Sequence, residues 1–262
     1  MKLVVFSDPH MTAGRPICGR SPAEWLGKAI DHAARHHADA AACVILGDLA
    51  DGGAREEYLL LKEGLARLPL DCRLMLGNHD DRTAFREIFP GAPVDANGFV
   101  QSAFDLGEVR CILLDTLSPG EGAGSLGGGR LEWLAATLAS SDRPCLIFLH
   151  HPPIETGLRN FDRIGLKERS AFEALIAGHR HRVAGLFFGH CHMSIAGTVA
   201  GLPAFGIRSL TCQSLPNFRD GRFLAAPDLP PAYSVIRVQG GALTVHTIEF
   251  GYCGPVEESG DA

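Results

Sequence analysis

Four short strings, Asp8-Pro9-His10, Gly47-Asp48, Gly77-Asn78-His79-Asp80 and Gly189-His190-Cys191-His192, supply imidazole, carboxylate and amide donors. A fifth, His150-His151-Pro152-Pro153, adds two more imidazoles. A donor set of this kind, without an obvious thiolate, suits Mn, Fe, Co or Zn better than Cu(I) or an iron–sulfur cluster. A single ion has too few coordination positions for so many donors, whereas two adjacent ions sharing a carboxylate have enough. Asp48 is the best bridge, because its two oxygens can face two cations.

Each string directly follows an apolar run that reads as a strand: residues 2–6, 42–46, 73–76, 145–149 and 183–188. Ligands of open α/β sheets gather beyond the carboxyl ends of the strands, so the five strings describe one crevice. In an extended segment His190 and His192 point to the same side and Cys191 to the other, which makes Cys191 a packing residue rather than a ligand.

The ordered pattern D-x-H, G-D, G-N-H-D, H and G-H-x-H resembles the calcineurin-like metallophosphoesterase superfamily, over residues 3–192. The His-His-Pro-Pro string, the G-N-H-D form of the third motif and the short chain are similar to its bacterial class III branch of cyclic-nucleotide phosphodiesterases and glycerophosphodiesterases. The resemblance implies that Asp8, His10, Asp48 and His192 hold one metal, and that Asp48, Asn78, His150 and His190 hold the other. His79 resembles the histidine that touches the scissile phosphate without binding metal, and Asn78 also borders the substrate. Of the adjacent pair, His150 is the ligand because it stands two residues before proline, with His151 behind it. Pro9 replaces the usual threonine without removing a ligand.

The expected chemistry is hydrolysis of a small phosphodiester by in-line attack of a metal-bound hydroxide. A diester anion repels hydroxide and its alkoxide leaving group is poor, and two cations address both difficulties. The alternatives are phosphomonoester hydrolysis by the same centre and a non-catalytic scaffold. The glycine-rich stretch 119–129 lacks the Gly-Lys-Ser/Thr ending of a phosphate-binding loop, so a nucleoside-triphosphate reading is rejected. Loop residues Arg159 and Arg163 are candidate substrate contacts.

The chain of 262 residues has a formal charge of −6 and is 46% hydrophobic, enough for a full core. No basic run favours a nucleic-acid polymer, and no long apolar stretch favours a membrane, so a cytoplasmic protein acting on small anions is expected. Eight scattered cysteines without a C-x-x-C pair argue against a disulfide framework or zinc ribbon. Histidines 32, 36, 37, 179 and 181 fall near helices and His246 in a strand, and none receives a catalytic role.

Between the motifs, Ser21-Pro22-Ala23-Glu24 opens a helix running to residue 36. Further helices are expected over 55–68, 82–88, 130–140 and 167–179. Strands are expected over 99–106, 109–114, 194–199, 202–207, 233–238 and 242–250, with Gly240-Gly241 as a hairpin turn. The family resemblance implies an α/β four-layer αββα sandwich, two mixed sheets flanked by helices, within one domain over 1–254. A small C-terminal β or cap extension at about 208–232 is expected to make homodimer or larger homo-oligomer contacts, and 255–262 to fray.

Overall fold

The computed structural model describes residues 1–252, 254, 255 and 257. Most of the expected fraying tail, and Cys253, lie outside the described residues.

Alternation along the first strand, β1 (Lys2–Phe6), sets the layering. Leu3 and Val5 face one way and Val4 and Phe6 the other, and all four are fully buried. A strand buried on both faces must lie between two layers. β1 pairs in parallel with β2 (Ala42–Ile45), which pairs in parallel with β3 (Cys72–Leu74). On its other side β1 pairs antiparallel with β12 (Tyr233–Gln239), which closes a hairpin with β13 (Ala242–Ile248).

The second sheet has the order β4 (Ser102–Leu106), β5 (Val109–Leu113), β6 (Cys145–Leu149), β7 (Val183–Phe188), β9 (Leu202–Gly206) and β8 (Ile195–Val199). Its β5, β6, β7 and β9 run parallel, with antiparallel strands at both edges. Helices α1 (Pro22–His36), α2 (Arg55–Leu65) and α3 (Arg82–Ile88) accompany the first sheet, and α4 (Arg130–Ala139), α5 (Arg159–Arg163) and α6 (Arg169–Gly178) the second.

Three apolar clusters fill the spaces between four layers. Val4, Phe6 and Ile45 meet Leu26, Ile30, Tyr58 and Phe85 under the first helices. Leu3, Val5, Val44, Leu146, Phe148 and Phe187 fill the space between the sheets. Ile147, Leu186 and Phe188 meet Leu134, Leu138, Phe172 and Ile176 under the second set. The αββα expectation is met.

Helix starts follow local chemistry. The Ser21 hydroxyl accepts from the Glu24 N–H with Pro22 in the first turn, and Asp81 caps α3 by accepting from the Ala84 N–H at 2.8 Å. Differences from expectation lie at element ends and in loops: α2 stops at Leu65, α6 runs only from Arg169 to Gly178, β4 begins at Ser102 rather than at 99, β3 covers Cys72–Leu74 rather than 73–76, β13 stops at Ile248, and α5 forms where a loop was expected. Within 208–232 a two-stranded hairpin forms from β10 (Gln213–Leu215) and β11 (Leu224–Ala226).

One correction concerns the cysteines, because Cys18 and Cys212 form a disulfide across 194 residues of sequence. Scatter along the chain does not foretell it. The two loops meet only after Ser209 and Thr211 donate hydroxyl hydrogen bonds to the carbonyls of Asp8 and Pro9, at 2.8 and 2.7 Å.

Candidate metal centre

The loops leaving β1, β2, β3, β6 and β7 converge, and the seven proposed donors meet there. Asp8, His10, Asp48 and His192 place one ligand atom each within 4.8 Å of one another. His10 Nε2 and His192 Nε2 lie 3.1 Å apart, and His192 Nε2 is 3.3 Å from Asp8 Oδ1. In a second group, Asn78 Oδ1 lies 3.2 Å from His150 Nε2 and 2.8 Å from His190 Nδ1, and those two ring nitrogens are 3.3 Å apart.

Asp48 joins the groups, though not with one oxygen for each. Its Oδ2 lies 3.5 Å from His10 Nε2 and 3.3 Å from His150 Nε2, while Oδ1 accepts the His79 backbone N–H at 2.9 Å. A single oxygen therefore faces both groups.

The backbone is bent to achieve this. Among the described residues seven non-glycine residues have positive φ, and five of them are Asp8, His10, Asp48, His190 and His192. Such conformations cost of order 1–3 kcal/mol each and gather at functional sites. The neighbouring glycines give the room: a Cβ on Gly189 would stand 2.8 Å from Asp8 Oδ2, and one on Gly77 would strike the Asp48 carboxylate.

Hydrogen bonds fix which nitrogens are bare. His10 Nδ1–H donates to Asp51 Oδ1 at 3.0 Å, and His150 Nδ1–H to the Leu46 carbonyl at 2.7 Å. Each leaves its Nε2 lone pair directed into the cluster. Clustered lone pairs repel unless a proton or a cation lies among them, so this donor set fits metal ions.

The electrostatics of these side chains agree. Burial works to raise the Asp48 carboxyl, but His150, with His10 and His79 behind it, holds it well below the usual carboxylate range. Burial disfavours a charged His150, yet Asp48 and Asp8 push its pKa up to about 9. Burial together with the neighbouring His151 and His150 drives His190 well down, and burial and His150 take His151 to about 3. His151 is fully buried behind the cluster, its Nδ1 2.8 Å from Thr116 Oγ1 and its Nε2 unpartnered.

His79 stands at the edge, its side chain 41% exposed and edge-on to His10 at 4.7 Å. Its Nδ1–H donates to the Asp51 carbonyl at 2.8 Å. Asp51 thus orients both His10 and His79, a role that its place in a turn after Asp48 does not reveal in the sequence. Asp80, also missed, is buried and accepts the N–H groups of Leu49, Ala50 and Gly77 and the Tyr58 hydroxyl. It ties the Asp48 loop to the Asn78 loop; burial and the Asp48 charge push its carboxyl up to about 7.

A cavity of 180 Å³ opens over the cluster, lined by His10, Asp48, Asn78, His79, Phe161, Ile164, His190, His192, Ser214 and Phe223. Arg159 and Arg163 are exposed on α5 and do not line it. The remaining histidines stand apart, His32 beside Tyr233 and His246 on the exposed face of β13.

Comparison with known proteins gives concordant results. A sequence model of the calcineurin-like phosphoesterase family matches residues 1–193. The chain is 39% identical over 261 residues to a Rhodopseudomonas palustris protein named probable cyclic nucleotide phosphodiesterase, covering 98% of this chain and 95% of that one. It is 31% identical over 173 residues, 62% of each chain, to a glycerophosphodiester phosphodiesterase of Enterobacter lignolyticus. In fold it is similar to a purple acid phosphatase from yellow lupin, with a TM-score of 0.69 and 11% identity over 96% of this chain and 52% of that one.

Proposed function

The chain belongs to the calcineurin-like phosphoesterase family, and from that premise we propose that it is a two-metal phosphodiesterase of small diesters, of the cyclic-nucleotide or glycerophosphodiester type. The observation that carries this reading is Asp48 Oδ2, set between two donor groups at the floor of a cavity. We assign Asp8, His10, Asp48 and His192 to one metal, and Asp48, Asn78, His150 and His190 to the other. Mn, Fe, Zn and Co suit these donors. When bound, such a pair neutralises phosphate oxygens and lowers the pKa of water toward neutrality.

The chain's own groups complete the reaction. Asn78 carries an amide N–H₂ at the cavity that can donate to a phosphate oxygen. His79, with Nδ1 fixed on the Asp51 carbonyl, keeps Nε2 free to hold a proton for the leaving oxygen. Arg159 and Arg163 are left with contacts beyond the cavity rim. The lining contains no lysine or arginine, so the second negative charge of a monoester finds no permanently charged side chain, and this favours the diester.

The test is hydrolysis of bis(p-nitrophenyl) phosphate beside p-nitrophenyl phosphate, on protein stripped of metal and reloaded with manganese. Metal-restored turnover preferring the diester is expected. Monoester preference would make the protein a phosphatase, and metal binding without turnover a scaffold.

A homo-oligomer is also proposed, supported by Leu215, Phe218 and Leu224, which are exposed on the β10–β11 hairpin; light scattering tests it. No helix among the described residues is long and apolar enough to cross a membrane. A cytoplasmic setting stays a proposal, with the Cys18–Cys212 disulfide weighing against it.

A further inference from the structure

The cavity over the metal centre has one apolar wall, built from two separate elements. Phe161, on α5, is 4% exposed and lies edge-on to the proposed ligand His190, with ring centroids 5.9 Å apart. Phe223, immediately before β11, lies edge-on to Phe161 at 5.0 Å and an interplanar angle of 81°. Phe161 is buried behind this contact, and Phe223, 56% exposed at the mouth of the cavity, is the ring of the pair that is open to a ligand.

The placement of Phe223 is held by the fold. β10 is fastened to the centre by the Ser214 N–H, which donates to the carbonyl of His192 at 3.1 Å, and by the disulfide at Cys212. Leu215 pairs with Leu224, and side chains alternate along a strand. Leu215 and Leu224 therefore share one face of the hairpin, while Ser214 and Phe223 share the other and line the cavity.

We propose that the exposed ring of Phe223, propped by the buried Phe161 behind it, is an aromatic platform that receives the nucleobase of a cyclic nucleotide whose phosphate lies on the metal centre. This rests on the phosphodiesterase reading and selects between its two substrate types. A glycerol moiety would lay hydroxyls against Phe161, Ile164 and Phe223, side chains that offer no hydrogen bond, and lose solvation there. A planar base instead stacks on aromatic rings, an interaction strong enough to change binding about tenfold or more.

The experiment compares cyclic AMP with sn-glycero-3-phosphoethanolamine as substrates of the manganese-loaded wild type, Phe223→Ala and Phe223→Trp. The wild type should prefer cyclic AMP. Phe223→Ala should shift the ratio of kcat/KM about tenfold toward the aliphatic diester, through KM rather than kcat, and Phe223→Trp should restore it. Wild-type preference for the aliphatic diester, or equal losses on both substrates in Phe223→Ala, would overturn the platform. Calorimetric binding of 5′-AMP and glycerol 3-phosphate separates the two ideas. If no diester is hydrolysed, the phosphodiesterase reading fails, whereas AMP selectivity abolished by Phe223→Ala still supports the platform and its absence in the wild type refutes it.

Discussion

Asp51 touches both histidines that flank the cavity mouth without belonging to either proposed donor group. Its carboxylate accepts from His10 Nδ1 and its carbonyl from His79 Nδ1. Partners that orient metal-ligating histidines are worth about 10- to 100-fold in metal affinity. Asp51→Ala is expected to weaken manganese binding by that much in a competition with a chelating dye, and unchanged affinity would remove Asp51 from the centre. His79→Gln separates binding from turnover: bound metal should stay constant while kcat falls about 10²- to 10⁴-fold, the usual contribution of a general acid. A parallel loss of metal would make His79 a ligand instead. At this scale the seven donors were legible because their types are uncommon at strand ends, and all seven meet within the cluster. Asp51 looked like an ordinary turn residue, and Phe223 had no local signal, since its position depends on how the hairpin docks.

The elements that carry periodic burial were legible, and those fixed by distant contacts were not. An unbroken apolar run marks a doubly buried strand, a 3.6-residue repeat marks an amphipathic helix, and a capping aspartate opens α3, so β1, α1 and α3 have the expected bounds. The short α5 and the β10–β11 hairpin have too few residues for such a pattern, and the Cys18–Cys212 link depends on loop docking. The same holds for the join between the two halves. Asp115, fully buried at the end of β5, accepts both Nε and Nη2 of Arg82 at 2.8 Å and the Val100 N–H at 2.8 Å. Arg82 opens α3, directly after the Asn78-His79 loop. Removing one partner of such a pair leaves a buried charge and costs about 3–5 kcal/mol. Asp115→Ala should lower unfolding stability by that amount in urea, and a change below about 1 kcal/mol would mean that the layers hold the loop without the pair.

For the whole molecule, the titratable groups of the proposed metal centre couple stability to pH. In the metal-free protein His150 is pushed up to about 9 and Asp80 to about 7, against burial in the first case and chiefly by burial in the second, and His192 is raised by Asp8 despite its own burial. Each folded-state value lies above the unfolded one. The stability each contributes is therefore complete below its unfolded value and is lost as pH rises through the folded value. His151 and His190 are lowered, mainly by burial, and act only on the acid side of about 6.5. The thermal midpoint of the metal-free protein is thus expected to fall between about pH 6.5 and 9, and a rising midpoint would show the sign to be wrong. Manganese should flatten this slope, because a ligating imidazole gives up its proton.

The most direct test of a two-metal centre is a titration of metal-stripped protein with manganese that follows bound metal and bis(p-nitrophenyl) phosphate hydrolysis together. Two ions per chain are predicted, with turnover appearing as the second site fills and with both lost to Asp48→Asn. Full turnover with one ion bound, or turnover that persists in chelator without metal, would contradict the account.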